Sequence, residues 1–430
     1  MALSRRTFLT ALGAAAATGG LAACGSSGSS GAGGADRLRF ALWANTDAEL
    51  GAFTAITDAF RQQTGVTVEI ENLAYAQMRP AIDSRLQSGD APDLFRVSYT
   101  DIGAYTSTGA LADLSAQLGD GFGDAFTPAL WSAVLAEGAP VGVPHHTDCS
   151  AFVYNVDAFT RAGITEVPAT LDEAWTWEEF IELMERVKAA NPDSSAFGVN
   201  WQLGGAYRWL SFLGQAGGAV YDESMQQVTI DSPAGRRALE FTKSFYDRGL
   251  HPANLLVKSQ TYVSDVFPSG QLSAIYAGDF LLPSLVESVK DFEFGATFLP
   301  RDVAHATELG GNAVVVTADS PNVDAAAEFC KFLAGAENMK AFCEQTTVLP
   351  VRNDLVDAQL DYAVRPDLMP VFQTQATTIP EHHVRTCTSP QFSGIADALL
   401  NELENCFAAG QSVDDTLGHL EAEITKLAGR

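Results

Sequence analysis

Residues 38–97 contain the pattern that decides the fold: LRFALWANTDAELGAFTAITDAFRQQTGVTVEIENLAYAQMRPAIDSRLQSGDAPDLFRV. Alternating and apolar runs predict three strands, at 38–42, 66–70 and 94–97. Apolar residues recur at helical spacing between them, with Asp47 as the expected cap of the first helix and Gly65 as its stop. The order strand, helix, strand, helix, strand predicts a parallel sheet covered by helices.

The second helix of this stretch contains a proline. Met78, Ile82 and Leu86 recur at helical spacing and mark its buried face, and Pro80 lies between them. Because proline lacks an amide hydrogen, it is tolerated best in the first turn, where that hydrogen has no partner inside the helix. We therefore expect Pro80 in the first turn.

Strand and helix patterns recur after the middle of the chain. Apolar runs predict strands at 151–154, 272–276 and 313–316. Helical spacing predicts helices at 177–190, 235–246, within 323–343 and at 392–408. A turn at 278–279 leads into a helix that begins near Phe280. The chain therefore contains two successive α/β units.

The first 24 residues have the features of an export signal. Arg5 and Arg6, followed by a short apolar run, resemble a twin-arginine signal, and the run is shorter than the ~20 apolar residues that span a bilayer. The sequence LAAC at 21–24 resembles a lipobox, which predicts cleavage before Cys24 and acylation of its thiol. The alternative is a secretory signal with an incidental cysteine. We expect a lipid anchor on the extracytoplasmic face of the cell membrane, with a flexible tether at 25–35.

Length and charge limit the possible functions. Removal of residues 1–23 leaves 407 of the 430 residues, which suits two domains, and takes the formal charge from −27 to −29. Such an acidic chain has no basic face to displace counterions from phosphates, so nucleic acid is excluded as a partner. The acidity favours solubility and is compatible with a salty habitat.

The cysteines do not predict a disulfide framework. With Cys24 lipidated, an odd number remains, at positions 149, 330, 343, 387 and 406. Cys387 and Cys406 flank a predicted helix that holds them far beyond bridging distance. Cys330 and Cys343 lie on successive helices and could pair, but buried free thiols are the commoner outcome.

A series of short motifs, in order, resembles the extracellular solute-binding proteins of ABC importers, in the carbohydrate-binding group that includes maltose-binding protein. The motifs are AF at 59–60, TGV at 64–66, SGDAPD at 88–93, VGVP at 141–144, VYN at 153–155, TWEE at 176–179, GG at 217–218, FPSGQ at 267–271, GG at 310–311, the segment 328–333 and LPVR at 349–352. Each motif is weak alone, and their joint order over the mature chain is specific. The resemblance implies an α/β fold of two lobes, each a mostly parallel sheet flanked by helices, with solute in the cleft and closure by hinge bending.

The resemblance also implies the domain limits. Residues 1–23 are the signal and 24–35 the lipidated cysteine and tether. The amino-terminal lobe is expected at 36–148 plus about 310–352, and the carboxy-terminal lobe at 151–306 plus about 355–430. Three crossings of the hinge are expected near 148–151, 307–312 and 351–355.

Candidate ligand contacts follow the predicted strands. A sugar presents apolar C–H faces and a ring of hydroxyls, so its site needs aromatic surfaces and rigid polar partners. Trp43, Asn45 and Thr46 follow the first strand, and Tyr99 follows the third. The alternative is that Trp43 lies in the core and that Asn45 or Thr46 only starts the helix.

Further candidates lie near the expected crossings and in the second lobe. By resemblance, contacts are expected from His145, His146, Asp148, Trp201 and Trp209. From their own positions, Asp279, Phe280, Gly311, Asn312, Arg352 and Phe392 are added. Each has a structural alternative: core packing for the tryptophans, a hinge hydrogen bond for Asp148, and a helix cap for Asp279. Adjacent histidines point apart and lack a ligand-spaced partner, so we expect neither a metal nor a cofactor.

Together these features predict a monomeric, lipid-anchored binding protein that captures a mono- or oligosaccharide and delivers it to the transmembrane permease of an ABC transporter. Two alternatives remain open: the same role for a polyamine or peptide, and an adhesive lipoprotein without a small ligand. A glycosidase is disfavoured, because the sequence has no nucleophile elbow, Walker loop, GxGxxG or metal-ligand pattern. We therefore do not expect an enzyme.

Overall fold

The structure, a computed structural model, describes residues 36–429. The export signal, the lipidation of Cys24 and the tether at 25–35 lie outside these residues and stay predictions. Within the described part of the chain, we find no helix that combines the length and the apolar character needed to cross a membrane.

Residues 36–429 form eleven strands and seventeen α-helices. The strands are β1 (Arg37–Leu42), β2 (Thr67–Asn72), β3 (Leu94–Ser98), β4 (Leu135–Ala136), β5 (Ala139–Pro140), β6 (Gly142–His146), β7 (Ser150–Asn155), β8 (Gly198–Val199), β9 (Ala274–Gly278), β10 (Phe294–Thr297) and β11 (Asn312–Val316). The helices are α1 (Asp47–Thr64), α2 (Tyr75–Ser88), α3 (Tyr99–Thr106), α4 (Ser115–Leu118), α5 (Pro128–Ser132), α6 (Val156–Arg161), α7 (Trp177–Ala190), α8 (Trp209–Gln215), α9 (Pro233–Asp247), α10 (Val263–Val266), α11 (Leu282–Ser288), α12 (Val323–Leu333), α13 (Ala336–Thr346), α14 (Met369–Ala376), α15 (Glu381–Cys387), α16 (Phe392–Ala408) and α17 (Val413–Leu427).

Two sheets carry the fold, and each has one strand that opposes the others. The first has the order β2-β1-β3-β11-β6, with β1 parallel to β2 and β3, and β11 antiparallel to β3 and β6. The second has the order β10-β7-β9-β8, with β7 antiparallel to β10 and β9, and β8 parallel to β9. Both sheets are therefore mixed and not mostly parallel as expected, because β11 and β7, the strands that the chain enters directly from the other sheet, run against both of their neighbours.

The chain passes between the two sheets more than once. It leaves the first sheet after β6, enters the second at β7, and returns from β10 to β11. Near the carboxy terminus, Arg352 still pairs with Phe126 beside the first sheet, whereas the Arg365 guanidinium donates to the carbonyl of Phe294 in β10. The lobe limits given above remain predictions.

The strand ends of the first sheet meet at one edge. Asn312, the first residue of β11, pairs with Ser98 at the end of β3 and with His146 at the end of β6. In the second sheet, Ser150 at the start of β7 pairs with Gly278 at the end of β9. Loops that follow these strands therefore face the space between the sheets, where ligands of α/β folds bind.

Local details correct some expectations. The α1 cap is Thr46, whose hydroxyl accepts from the amide of Glu49, and not Asp47, while Gly65 ends the helix with φ 81° as expected. Helix α2 begins at Tyr75, so Pro80 is its sixth residue and does not lie in the first turn. Strand β9 ends at Gly278, two residues later than predicted, and a 3-10 turn at Asp279–Leu281 precedes α11.

The cysteines within residues 36–429 are buried as free thiols. This holds for the five described cysteines, at 149, 330, 343, 387 and 406. The pairing of Cys330 with Cys343, which the sequence left open, is therefore not formed. Burial raises the pKa of the Cys330 thiol to about 12, so the thiol is neutral and packs as a small apolar side chain.

Candidate functional site: the cleft between the two sheets

A cavity of about 540 Å³ lies where the loops of the two sheets face each other. Six aromatic side chains contribute to its walls: Trp43, Tyr75, Tyr207, Tyr262, Phe280 and Phe392. Charged side chains are Glu49, Arg79, Arg96, Asp101, Asp148, Arg208 and Asp397, and neutral polar side chains include Asn45, Thr46, Ser98, Thr100, His146, Asn200 and Asn312. The volume suits a small organic ligand.

Arg96 organises the wall that the first sheet provides. It is almost fully buried on β3, its guanidinium lies 2.7 Å from a carboxylate oxygen of Glu49, and its Cζ lies 4.4 Å from the centre of the Trp43 ring. A second guanidinium nitrogen lies 2.9 Å from Nε2 of His146. The ion pair, the cation–π contact and the histidine contact hold Arg96 and Trp43 in one orientation, which gives the cleft a rigid wall.

Two neutral polar groups continue this wall. The Asn312 amide lies 2.9 Å from Nε2 of His146. Burial lowers the pKa of His146 well below its usual value, and the nearby Arg96 lowers it further, so the imidazole is neutral at pH 7. The two side chains can therefore present uncharged donors and acceptors to a ligand.

Asp148 lies at the passage between β6 and β7 and lines the cavity. Its side chain forms neither a hydrogen bond nor an ion pair with the described residues. Burial raises the pKa of Asp148 to about 7, against the opposing effect of Arg208. The carboxyl packs against Gly310, where the chain returns from β10 to β11. A Cβ at that glycine would lie 1.9 Å from Oδ1 of Asp148.

More carboxyl groups lie behind the cavity wall. Glu308 is buried, its Oε1 lies 3.4 Å from Nε of Arg208, and it also accepts from the hydroxyls of Ser150 and Thr307. Asp279 is fully buried and accepts from the amide of Cys149 at 3.3 Å. Of these two carboxyl groups, only Glu308 is paired with an arginine, whereas Asp279 is held by a backbone amide.

Helix α16 also lines the cavity and is in contact with α2. Arg79 of α2 forms an ion pair with Asp101 at 3.0 Å and donates to the hydroxyl of Ser393 at 3.2 Å. Tyr207 and Phe392 lie edge to face, with ring centres 6.1 Å apart. Tyr75 is 49% exposed at the mouth of the cleft, and its ring centre is 5.3 Å from that of Trp43.

The structure brings many of the predicted contact residues to this cavity. Those that line it are Trp43, Asn45, Thr46, His146, Asp148, Phe280, Gly311 and Asn312, together with Phe392. Gly311 has φ 103°, and a Cβ there would lie 2.4 Å from the carbonyl oxygen of His146. Glycine is therefore required for the close approach of β11 to β6 at the cavity edge.

Trp201 and Trp209 do not line the cavity, so their expected stacking role is not retained. Both are fully buried in the second lobe. The indole nitrogen of Trp201 donates to the hydroxyl of Tyr246 at 2.8 Å, and that of Trp209 donates to the hydroxyl of Thr242 at 3.2 Å. With their polar atoms satisfied inside the core, these rings have no face left for a ligand.

Four other expected contacts also point away from the cavity. Tyr99 turns into the core at the start of α3, and His145 packs on Phe342, with ring centres 4.3 Å apart, because neighbours on a strand face opposite sides. Asp279 lies behind the wall, as described above. Arg352 forms an ion pair with Asp354 at 2.9 Å and lies over a ring of the core, so it serves the fold.

Several residues that line the cavity were not predicted from the sequence. Tyr75 and Arg79 lie at the start of α2, and the loop position after β2 could have indicated them. Arg96 lies inside an apolar strand run, and only the tertiary pairing with Glu49 explains its burial. Tyr207 and Arg208 follow the glycine pair at 204–205, in the segment where tryptophans were expected to make the contact.

Comparisons with known proteins agree with this architecture. The family model of the bacterial extracellular solute-binding proteins matches residues 43–340. The chain is 24% identical over 330 residues to the maltotriose-binding protein of Pyrococcus abyssi, covering 74% of this chain and 68% of that protein. It is 23% identical over 326 residues to the galactooligosaccharide-binding protein of Bacillus subtilis, covering 74% of this chain and 73% of that protein.

Solved structures show the same fold. One is an ABC substrate-binding protein of Listeria monocytogenes in complex with cycloalternan, with a TM-score of 0.78, 20% identity, and coverage of 91% of this chain and 99% of that one. The predicted two-lobed α/β fold is confirmed. Because the family match spans well over half of the sequence, this chain belongs to the bacterial extracellular solute-binding proteins.

Proposed function

We propose that this protein binds a mono- or oligosaccharide in the cleft and delivers it to the permease of an ABC importer. The observation that carries the proposal is the combination of six aromatic side chains with fixed polar groups around one cavity of about 540 Å³. Aromatic rings contact the C–H faces of a sugar, while amides, carboxylates and guanidinium groups bond its hydroxyls. The two curated relatives named for oligosaccharides support the same class of ligand.

The proposal includes the location and state of the protein. The paired arginines at positions 5 and 6, the apolar run after them and the cysteine at position 24 support export and a lipid anchor on the extracytoplasmic face of the membrane. A solute-binding protein that visits a permease needs only a flexible tether, so we propose a monomer. Capture and release both favour an affinity near micromolar, about −8 kcal/mol. The role proposed is binding without catalysis.

A cationic solute is the second candidate, because one observation favours it. Asp148 lines the cavity without an ion pair, whereas Glu49 and Asp101 are each paired with an arginine. An ammonium group of a polyamine or peptide could neutralise Asp148. The aromatic and neutral polar walls are the reason that we place a sugar first.

A thermal-shift screen of the purified protein tests both candidates. We expect at least one mono- or oligosaccharide to raise Tm further as its concentration increases, since a ligand at about 100 times its Kd adds about 2.7 kcal/mol to the free energy of unfolding. Putrescine and short peptides serve as cationic controls. A shift with these controls and none with any sugar would favour the second candidate, and release of reducing ends from oligosaccharides would instead indicate a glycosidase.

A further inference from the structure

A second cavity lies beside the cleft, under helix α2, and we call it the α2 pocket. It encloses about 230 Å³ and shares wall residues with the cleft: Trp43, Tyr75, Arg79, Arg96, Ser98 and Asp101. Its inner walls are formed by Met78, Ile82, Phe95, Val97 and Tyr105. The six shared residues place the α2 pocket directly beside the cleft.

The pocket exists because α2 does not pack closely on the sheet. Of the 14 residues of α2, only Met78 and Ile82 are buried. Pro80 lies inside the helix and cannot donate the backbone hydrogen bond of its position. Only these two side chains of the helix are fully buried, Leu86 packs partly against the core, and a cavity remains between α2 and Phe95 and Val97 of β3.

The chemistry of the pocket differs from that of the cleft. Its inner walls are mainly hydrocarbon and aromatic side chains, and the charged groups at its mouth, Arg79 and Asp101, already bond each other at 3.0 Å. A sugar ring placed inside would lose the hydration of its hydroxyls without gaining enough partners. An apolar group would gain by leaving water.

We propose that the α2 pocket is an accessory subsite for an apolar substituent, such as an aryl or alkyl aglycone, on a ligand whose sugar occupies the cleft. This inference rests on the proposed function and names the ligand class more narrowly, as a glycoside. Tyr75 lies at the junction of the two cavities, so its ring can contact the bond between the sugar and the substituent.

The test compares matched ligands by calorimetry. The probes are the methyl and 4-nitrophenyl glycosides of glucose, galactose and maltose, in both anomers, titrated into the whole protein. For at least one sugar, we expect the 4-nitrophenyl glycoside to bind about tenfold more tightly than its methyl partner, because an aromatic ring is buried. Equal affinities within every pair would overturn the inference.

Two variants show whether the gain comes from the α2 pocket. Val97→Phe places a larger side chain in it from β3, and Ala76→Phe does so from an exposed position on α2, where folding tolerates the change. Either change should abolish the preference for the 4-nitrophenyl glycoside and leave the affinity for the methyl glycoside within about twofold. A preference that survives in a folded Ala76→Phe protein would overturn the inference.

The result also separates this inference from the proposed function. Equal binding of both members of a pair would leave sugar binding intact and remove only the accessory subsite. No heat with any glycoside, and no Tm shift with any sugar in the screen, would remove both.

Discussion

At the scale of single residues, Tyr75 offers the clearest test of aromatic contact with a ligand. Its ring is 49% exposed at the mouth of the cleft, so it contributes little to the core. We expect Tyr75→Ala to lower the affinity for the sugar found by the screen about 5–30-fold, which is about 1–2 kcal/mol, with Tm nearly unchanged. Calorimetry measures the change. Val303→Ala is the control, because Val303 is 68% exposed and does not line the cleft; equal affinities of both variants would contradict the role of Tyr75.

Asp148 should make the stability of the protein depend on pH. Its pKa is raised to about 7 in the folded protein, whereas an unfolded aspartate releases its proton near pH 4. Between these values the folded state binds more protons, so the free energy of unfolding falls as pH rises from about 4 to 7. We expect the stability advantage of Asp148→Asn over the wild type to be small near pH 4 and to grow to its full size by pH 8, as measured by denaturant unfolding.

The control for this prediction is an aspartate with the opposite shift. The guanidinium of Arg352 lowers the pKa of Asp354, so its ionised form is favoured in the folded protein. Asp354→Asn should therefore gain nothing at pH 8. If Asp148→Asn does not raise the free energy of unfolding at pH 8 either, burial does not destabilise the ionised carboxylate of Asp148 as the structure indicates.

Cavity residues were predicted correctly where their position at the end of a strand is enough to place them at the cleft. Asn45, Thr46 and Asn312 lie at strand ends, and strand ends face the cleft in such folds. The prediction failed where the direction and the burial of the side chain decide whether it reaches the cleft, as for Trp201 and Trp209. Their burial depends on packing against residues far away in the chain, such as Tyr246, and no local pattern contains that information.

At the scale of secondary structure, two glycines should respond to alanine in opposite ways. Gly65 ends α1 with φ 81°, whereas Gly418 lies inside α17, and neither has an atom within 4 Å of the Cβ position. We expect Gly65→Ala to cost about 1 kcal/mol, because alanine resists a left-handed conformation. Gly418→Ala should add about 0.5–1 kcal/mol, since alanine favours the helix.

Denaturant unfolding of the two variants measures the change in the free energy of unfolding for each, and the two changes should have opposite signs. Each change adds a single methyl group in open space, so packing does not obscure the conformational effect. A loss of stability in both variants, or in neither, would show that the two backbone conformations are not as described.

Helices with strong local signals were predicted at their true limits. The capping box of Thr176 with Glu179 starts α7, and the range 177–190 matches the structure. For α2 the local signal was misleading, because the rule for proline placed Pro80 in the first turn. The helix instead extends back to Tyr75, at a loop position set by the sheet, and this displacement brings Tyr75 to the cleft.

At the scale of the whole molecule, the cleft depends on passages between two sheets. The predicted order of strands was sufficient for the fold class, because strand and helix alternation restricts the topology. The shape of the cavity was not predictable, since it depends on how close the passages at 147–149 and 310–311 approach each other. Their contact requires the two glycines at 310–311.

Ligand binding should draw the two lobes together. A ligand shifts a conformational equilibrium only if it binds one state better, and residues of both sheets line the cleft, so a bound sugar gains contacts when it closes. The most direct test is small-angle X-ray scattering with and without the sugar that raises Tm. We expect the radius of gyration to decrease with that sugar and to stay constant with sugars that leave Tm unchanged. An unchanged radius at saturation with the binding sugar would contradict capture by closure of the cleft.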